Sequence, residues 1–443
     1  MLHTMTPESS PEMLIQPDMP LCQTDLPLGW YQEEFKPYAQ EYLALPNRLP
    51  QTVLPWMDRY IRPALSHFGP DLVLLAHYYM GGEIVKLVER YGGSIGDSYA
   101  LALQTRRRPE SRLFVESAVH FMAESIALLA GEDQEVFITN PKAGCTMELL
   151  AKDFMVEPAF DALRAMYGDD LLMIAYMNTS GRIKALAGET GGAVCTSSNA
   201  KKILTWALSQ GKKILFVPDR HLGENSAAAC GLSDEDIFVL PSPKTTPTHA
   251  YVESLSPADR ARMDRSQMIL WGSFCGVHTV FSAEHVAYWR TRGYRTLVHP
   301  ESPKTVVDVA DGHGSTSYLW HETMKLPAGS SVAIGTEGHF VRNLREQAAL
   351  RGINVTHMAD IPDPAFGSMG CGCATMSRND PPHLVAILDL MRKGRAPDLN
   401  RVLPGDMVNE RSGFRDRLKR SERQHIVKHA RASLEKMIEI VES

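Results

Sequence analysis

The stretch LVLLAHYYMGGEIVKLVERYGG, residues 72–93, decides the fold. Its first five residues form a continuous apolar run, short enough for a strand buried on both faces. EIVKLVERYGG (83–93) then shifts to helical spacing, with Ile84, Val85, Leu87 and Val88 on an inward face and a glycine pair to end it. A buried strand followed by an amphipathic helix is half of a parallel α/β unit. The same signal returns in RLFVE (112–116), EVFIT (135–139), LLMIA (171–175), GAVCT (192–196), KILFV (213–217), DIFVL (236–240), MILW (268–271), TLVH (296–299), SVAIG (331–335) and NVTHM (354–358). That makes roughly a dozen strands alternating with helices. Single open sheets of that size are uncommon, so about three parallel sheets of about four strands are expected.

Length and composition agree. A chain of 443 residues suggests about three domains of roughly 150 each. A net charge of -6 and a pI near 6.3 give no reason to expect nucleic acid as a partner. No apolar run reaches the ~18 residues of a membrane span. MLHTMTPESSPEM at the start lacks the charged and apolar regions of a secretory signal. Seven cysteines, an odd number, favour reduced thiols, metal ligation or catalysis over disulfides, and a cytoplasmic location is expected. Residues 1–27 read as a loose arm. Residues 28–66 carry Pro37, Pro46, Pro50, Pro55 and Pro63, which predict short helices rather than one long one. The basic runs TRRRPESR (105–112) and RDRLKRSERQHIVKHAR (415–431) read as solvated faces, because acidic residues interrupt them.

Chemistry gathers where strands end. LWGSFCGVH (270–278) leaves a strand for a Gly-containing turn with Cys275 and, three residues on, His278. Cys145 in NPKAGCTM and Cys373 in GCGCATM sit in comparable turns. Three such turns suggest one shared metal centre, although no C-x2-C pair exists and a free cysteine is commonly a small buried hydrophobe. Cys195 reads as core, Cys22 and Cys230 as incidental, and Cys371 is ambiguous beside Cys373. His77 and Tyr79 follow LVLLA, Tyr176 and Asn178 follow LLMIA, Thr196 to Ser198 follow GAVC, and His299 and Glu301 follow TLV. Parallel α/β folds bind ligands at the carboxyl ends of their strands, so one cleft is expected. His299 and Glu301 read either as a hydrogen-bonded ring and a helix cap or as a general acid/base pair. Ser98, Ser197, Ser315 and Thr316 precede helices, where a hydroxyl caps the helix, holds an anion, or does both. No Walker A or G-x-G-x-x-G pattern is present, which weighs against a nucleotide substrate.

These residues also resemble a known family. AHYYMGGEI, SIGDSYALA, VHFMAES, NPKAGCTMELL, AYMNTS, CTSSNAKKIL, VPDRHLG, WGSFCGVH, HPESPKTVVDVAD, GSTS and CATMSRN occur in the order found in the quinolinate synthases of de novo NAD biosynthesis. The resemblance covers about residues 68–393 and, more weakly, the C-terminal helix. It implies three Rossmann-like αβα sandwich domains, related by a pseudo-threefold axis, around a central cavity. The expected division is an arm at 1–66, a first domain at 67–147 plus 377–443, a second at 148–276 with an insertion at about 225–264, and a third at 277–376.

By the same resemblance, Cys145, Cys275 and Cys373 match ligands of a 4Fe-4S cluster with one iron left open. Tyr79, Glu301 and His299 match its catalytic groups. His77, Ser98, Tyr176, Asn178, Ser197, His278, Ser315 and Thr316 match its substrate contacts, and Met376 a methionine beside the cluster. The implied reaction condenses iminoaspartate with dihydroxyacetone phosphate to quinolinate, releasing phosphate and water. A functional link to an L-aspartate oxidase is implied as well. Alternatives are an iron-sulfur hydro-lyase acting on another small dicarboxylate and a non-catalytic iron-sulfur sensor or electron carrier. The chain departs from the family pattern at Tyr78, usually Asn, at Ser302, often Cys, and at Ala374, often Pro.

Overall fold

The computed structural model describes residues 13, 15–18, 21, 25–80, 83–240, 252–363, 366, 372–409, 414–416 and 418–443. Cys22 and Cys371 lie outside them, as does most of the 1–27 arm.

The apolar runs form three parallel sheets. The first contains β1 (Leu72–His77), β2 (Ser94–Gly96), β3 (Leu113–Ser117) and β4 (Glu135–Ile138), in the order β2-β1-β3-β4. The second contains β5 (Leu171–Tyr176), β6 (Ala193–Cys195), β7 (Lys213–Val217), β8 (Ile237–Leu240) and β9 (Met268–Trp271), in the order β6-β5-β7-β9-β8. The third contains β10 (Arg295–Val298), β11 (Gly312–His313), β12 (Ser331–Gly335) and β13 (Asn354–His357), in the order β11-β10-β12-β13. Helices flank each sheet, giving three Rossmann-like αβα layers. All six residues of β1 and of β5 are buried, and each fully buried Leu, Ile or Met contributes about 1.5–3 kcal/mol. In each sheet the chain reverses direction beside the first strand of the layer, which is where such folds bind ligands.

The helix after β1 ends where its sequence stops it, with Gly92 at φ +79, a conformation that L side chains rarely adopt. Residues 225–264 carry β8, which pairs in parallel with β9; 241–251 lie outside the described residues. Cys195 is fully buried in β6, and Cys230 is half-buried.

The proline-rich region opens with the short helices expected, Leu28–Trp30, Glu33–Phe35 and Lys36–Leu43, and departs from expectation after them. Pro50–Phe68 is one continuous 19-residue helix with Pro55 and Pro63 inside it. Both prolines are exposed, and so are Gln51 and Arg59, whose carbonyls lose their helical partners. On this exposed side of the helix, water can replace the missing bonds. The basic segment near the end is likewise only partly solvated. It opens helix Arg420–Glu442, whose Ile426, Ala430, Leu434 and Met437 are buried. That helix crosses Gly181–Glu189 so closely that a Cβ on Gly188 would lie 1.9 Å from the His429 carbonyl oxygen.

Polar pins join the layers. The buried Glu124 accepts backbone N–H groups from Gly181 at 2.6 Å and Gly405 at 2.7 Å. Asn225 Nδ2 donates to the Pro300 and Ser302 carbonyls at 2.8 and 2.9 Å, fixing the turn that carries Glu301. Lys86 pairs with Glu83 at 2.7 Å and with Glu346 of the third layer.

Candidate active site and metal centre

A cavity lies where the carboxyl ends of the three sheets meet. Strand pairing makes its walls repeat. His77, Tyr176 and His299 occupy one equivalent position at the end of the first strand of each layer, and Tyr79, Asn178 and Glu301 stand two residues on. Ser98, Ser197 and Thr316 are equivalent past the second strands. Cys145, Cys275 and Cys373 follow β4, β9 and β13. All of these line the one cavity, with His278 and Met376.

Besides Ser198, the sequence-predicted residue off the wall is Ser315. It takes the cap position, its hydroxyl accepting the Tyr318 N–H at 3.3 Å. Asp97 caps the corresponding helix of the first layer, taking the Ala100 N–H at 3.0 Å. In the third layer capping falls to Ser315 and the cavity to Thr316, whereas Asp97 both caps its helix and lines the cavity beside Ser98; Ser98, Ser197 and Thr316 all stand on the wall.

The titratable groups form one chain of contacts. Glu301 accepts the Tyr176 hydroxyl proton. Its other oxygen is 2.8 Å from His278 Nδ1, a close contact that is not an aligned hydrogen bond. His278 Nε2 lies 2.9 Å from Thr336 Oγ1, which is 2.7 Å from the Tyr79 hydroxyl. The His278 and His299 rings stack at 4.5 Å. In the Nδ1–H tautomer, which puts the ring proton beside the carboxylate, Nε2 is the acceptor and Thr336 its donor. Tyr79 therefore donates to Thr336.

Burial alone would raise the Glu301 carboxyl, but His299, His278 and the Tyr176 hydroxyl outweigh it and hold it at about 2. Burial, then the charge of Glu301, pushes the Tyr79 and Tyr176 phenols well up, so both stay protonated. Burial holds the His77 ring down to about 4, and burial with neighbouring His278 holds His299 at about 3. The Tyr79 amide donates to His77 Nδ1 at 3.1 Å, which leaves His77 Nε2–H as a neutral donor. The site thus holds an ionised carboxylate, protonated phenols and neutral imidazoles together.

The thiol set fits an iron-sulfur group. Cys145, Cys275 and Cys373 are all buried. Burial pushes Cys145 and Cys275 up; Cys373 raises Cys145 further, and Glu301, then Cys145, raise Cys275 further. Three buried thiols on one cavity wall are a donor set that an iron-sulfur cluster would accept as thiolates. Cys275, His278 and Glu301 also present ligand atoms within 4.8 Å of one another.

Sequence reading passed over Asp97, Asp219, Asn225, Thr336 and Glu337. Thr336 and Glu337 stand just past SVAIG and Asp219 just past KILFV, so the strand-end rule that found His77 and Glu301 also reaches them.

Residues 64–402 match the family model described as Quinolinate synthetase A protein. The chain is 33% identical to the quinolinate synthase of Corynebacterium glutamicum over 91% of its own length and 92% of the relative's. It is 36% identical to that of Streptomyces coelicolor, covering 88% and 93% of the two chains. It is 33% identical to that of Bacillus subtilis, covering 78% and 88%. With three thiols, three hydroxyls and the Tyr79 to Glu301 chain gathered from three layers onto one cavity, the protein belongs to the quinolinate synthase family.

Proposed function

We propose that the protein condenses iminoaspartate with dihydroxyacetone phosphate to form quinolinate, phosphate and water. Convergence of one cysteine from each layer on a cavity that also holds the acid/base chain carries this reading. Cys145, Cys275 and Cys373 would hold a 4Fe-4S cluster, with Met376 packed alongside. Bound there, it would supply a Lewis acid at the iron that lacks a thiolate.

The chain's own groups answer the remaining demands. Ser98, Ser197 and Thr316 offer hydroxyl donors to the substrates' phosphate and carboxylates, and Ser315 supports Thr316 by capping its helix. His77 and His299 add neutral N–H donors, which stabilise developing negative charge without giving up a proton. Asn178 and the Tyr176 hydroxyl orient the intermediate. Glu301, ionised, takes a proton, while Tyr79 holds one that can pass through Thr336 to His278. The enclosed wall keeps water from unstable imines. A cytoplasmic setting and supply of iminoaspartate by an L-aspartate oxidase belong to the same proposal. Among the described residues, no helix is long and apolar enough to cross a membrane.

Anaerobic turnover tests it. Purified protein receives dihydroxyacetone phosphate and iminoaspartate generated in place from oxaloacetate and ammonia, and quinolinate is followed by mass spectrometry. Product from the wild type and none from Cys373→Ala is expected. No product despite a full iron and sulfide complement would overturn the assignment.

A further inference from the structure

The three layers differ at one equivalent position, two residues past the third strand of each. Pairing to β1, β5 and β10 brings Val119, Asp219 and Glu337 into register there. All three are fully buried. Asp219 accepts the Leu222 N–H at 2.6 Å on Oδ1 and the Cys275 N–H at 3.0 Å on Oδ2. Glu337 repeats this, accepting the Phe340 N–H at 3.0 Å on Oε2 and the Cys373 N–H at 3.1 Å on Oε1. Each carboxylate thus joins the start of a helix to the backbone amide of a cavity cysteine. Val119 offers Cys145 no such acceptor.

We propose that Asp219 and Glu337 are positioning residues that clamp the Cys275 and Cys373 turns, so that these two thiols are presented rigidly while Cys145 lacks an equivalent clamp. A carboxylate is suited to this because it accepts on both oxygens. Asn or Gln of the same shape accepts on one and opposes the other N–H with its own NH2. Such a change frees one buried N–H and with it the turn, while filling the same volume. An amide released from the carboxylate is also free to turn toward sulfur, and hydrogen bonds to sulfur tune an iron-sulfur potential.

The test uses Asp219→Asn and Glu337→Gln, with Glu124→Gln as the matched control, since Glu124 is a buried carboxylate accepting two backbone N–H groups without touching a cysteine. The first readout is timed alkylation of the metal-free full-length protein with iodoacetamide, mapped to each cysteine by mass spectrometry. Asp219→Asn should speed Cys275 and Glu337→Gln should speed Cys373, each severalfold to about tenfold, as expected for losing one buried hydrogen bond. Cys145 should not change in either, and Glu124→Gln should change none of the three.

The second readout rests on the cluster reading proposed above. After anaerobic loading with iron and sulfide, both clamp variants should release iron to a chelator ~10–100-fold faster than wild type, with a shifted reduction potential. Wild-type alkylation rates in variants that keep the native circular dichroism would overturn the clamp. Equal acceleration of all three cysteines in Glu124→Gln would overturn it too, by making the effect one of general stability. A wild type that takes up no iron and sulfide counts against the cluster instead, and the alkylation pattern still decides the clamp.

Discussion

Replacing Thr336 by valine removes one hydroxyl and keeps the side chain's shape. That hydroxyl is the only link between Tyr79, 2.7 Å away, and His278, 2.9 Å away, among the described hydrogen bonds. Its loss separates the proton held on Tyr79 from the imidazole that Glu301 stabilises. General acid/base steps contribute about 10²–10⁴-fold, so kcat should fall at least about a hundredfold. At 1.36 kcal/mol per tenfold this is about 2.7 kcal/mol of transition-state stabilisation. KM should move little, because Thr336 is not on the cavity wall. Thr336→Ser keeps the oxygen and should stay near wild type. The assay is quinolinate formation under anaerobic conditions with cluster content matched between variants. A valine variant with kcat within about threefold of wild type, or a serine variant as impaired as the valine one, would refute the relay.

Two further outcomes bear on stability. Glu301 is held at about 2 against an ordinary 4.5, so its ionised form contributes on the order of 3 kcal/mol, fully present above pH 4.5 and lost as pH falls toward 2. In urea titrations, the wild type's advantage over Glu301→Gln should be constant from pH 7 to 5 and shrink by pH 3.5; an advantage unchanged by acid would count against the ionised assignment. Gly188→Ala should lower the thermal midpoint, because its methyl would meet the His429 carbonyl at 1.9 Å and such overpacking costs about 1–3 kcal/mol; an unchanged midpoint would show that the last helix shifts freely.

Much of the fold is legible in the sequence because buried parallel strands are continuous apolar runs, and LVLLA or LLMIA admits few other readings. β2 and β11 escape that signal, since strands of three and two residues are defined by their neighbours rather than by their own composition. Pro55 and Pro63 mislead for a related reason. A proline's cost depends on which way the freed carbonyl faces, and only tertiary packing sets that. In the site, His77, Tyr79 and Glu301 stand out as chemically unusual residues after strands. Thr336, Asp219 and Glu337 occupy equally telling places but act through backbone amides and other side chains, contacts that no local pattern announces. Ser315 and Thr316 are indistinguishable by type, and a difference of one residue around the first helical turn decides which faces the ligand.

The equivalence of the strand ends has a consequence for how a substrate is oriented. A truly threefold cavity would accept a small molecule in three rotated poses of equal energy, and only one of them could be productive. The layers remove that degeneracy by unlike residues on a like frame. At one position the choices are Tyr79, Asn178 and Glu301: a sector that can give a proton, one that can do neither, and one that can take a proton. With the roles proposed for Tyr79 and Glu301, the direction in which the chemistry runs would be encoded in which layer each residue belongs to, and exchanging the two would turn the preferred pose rather than simply weaken it.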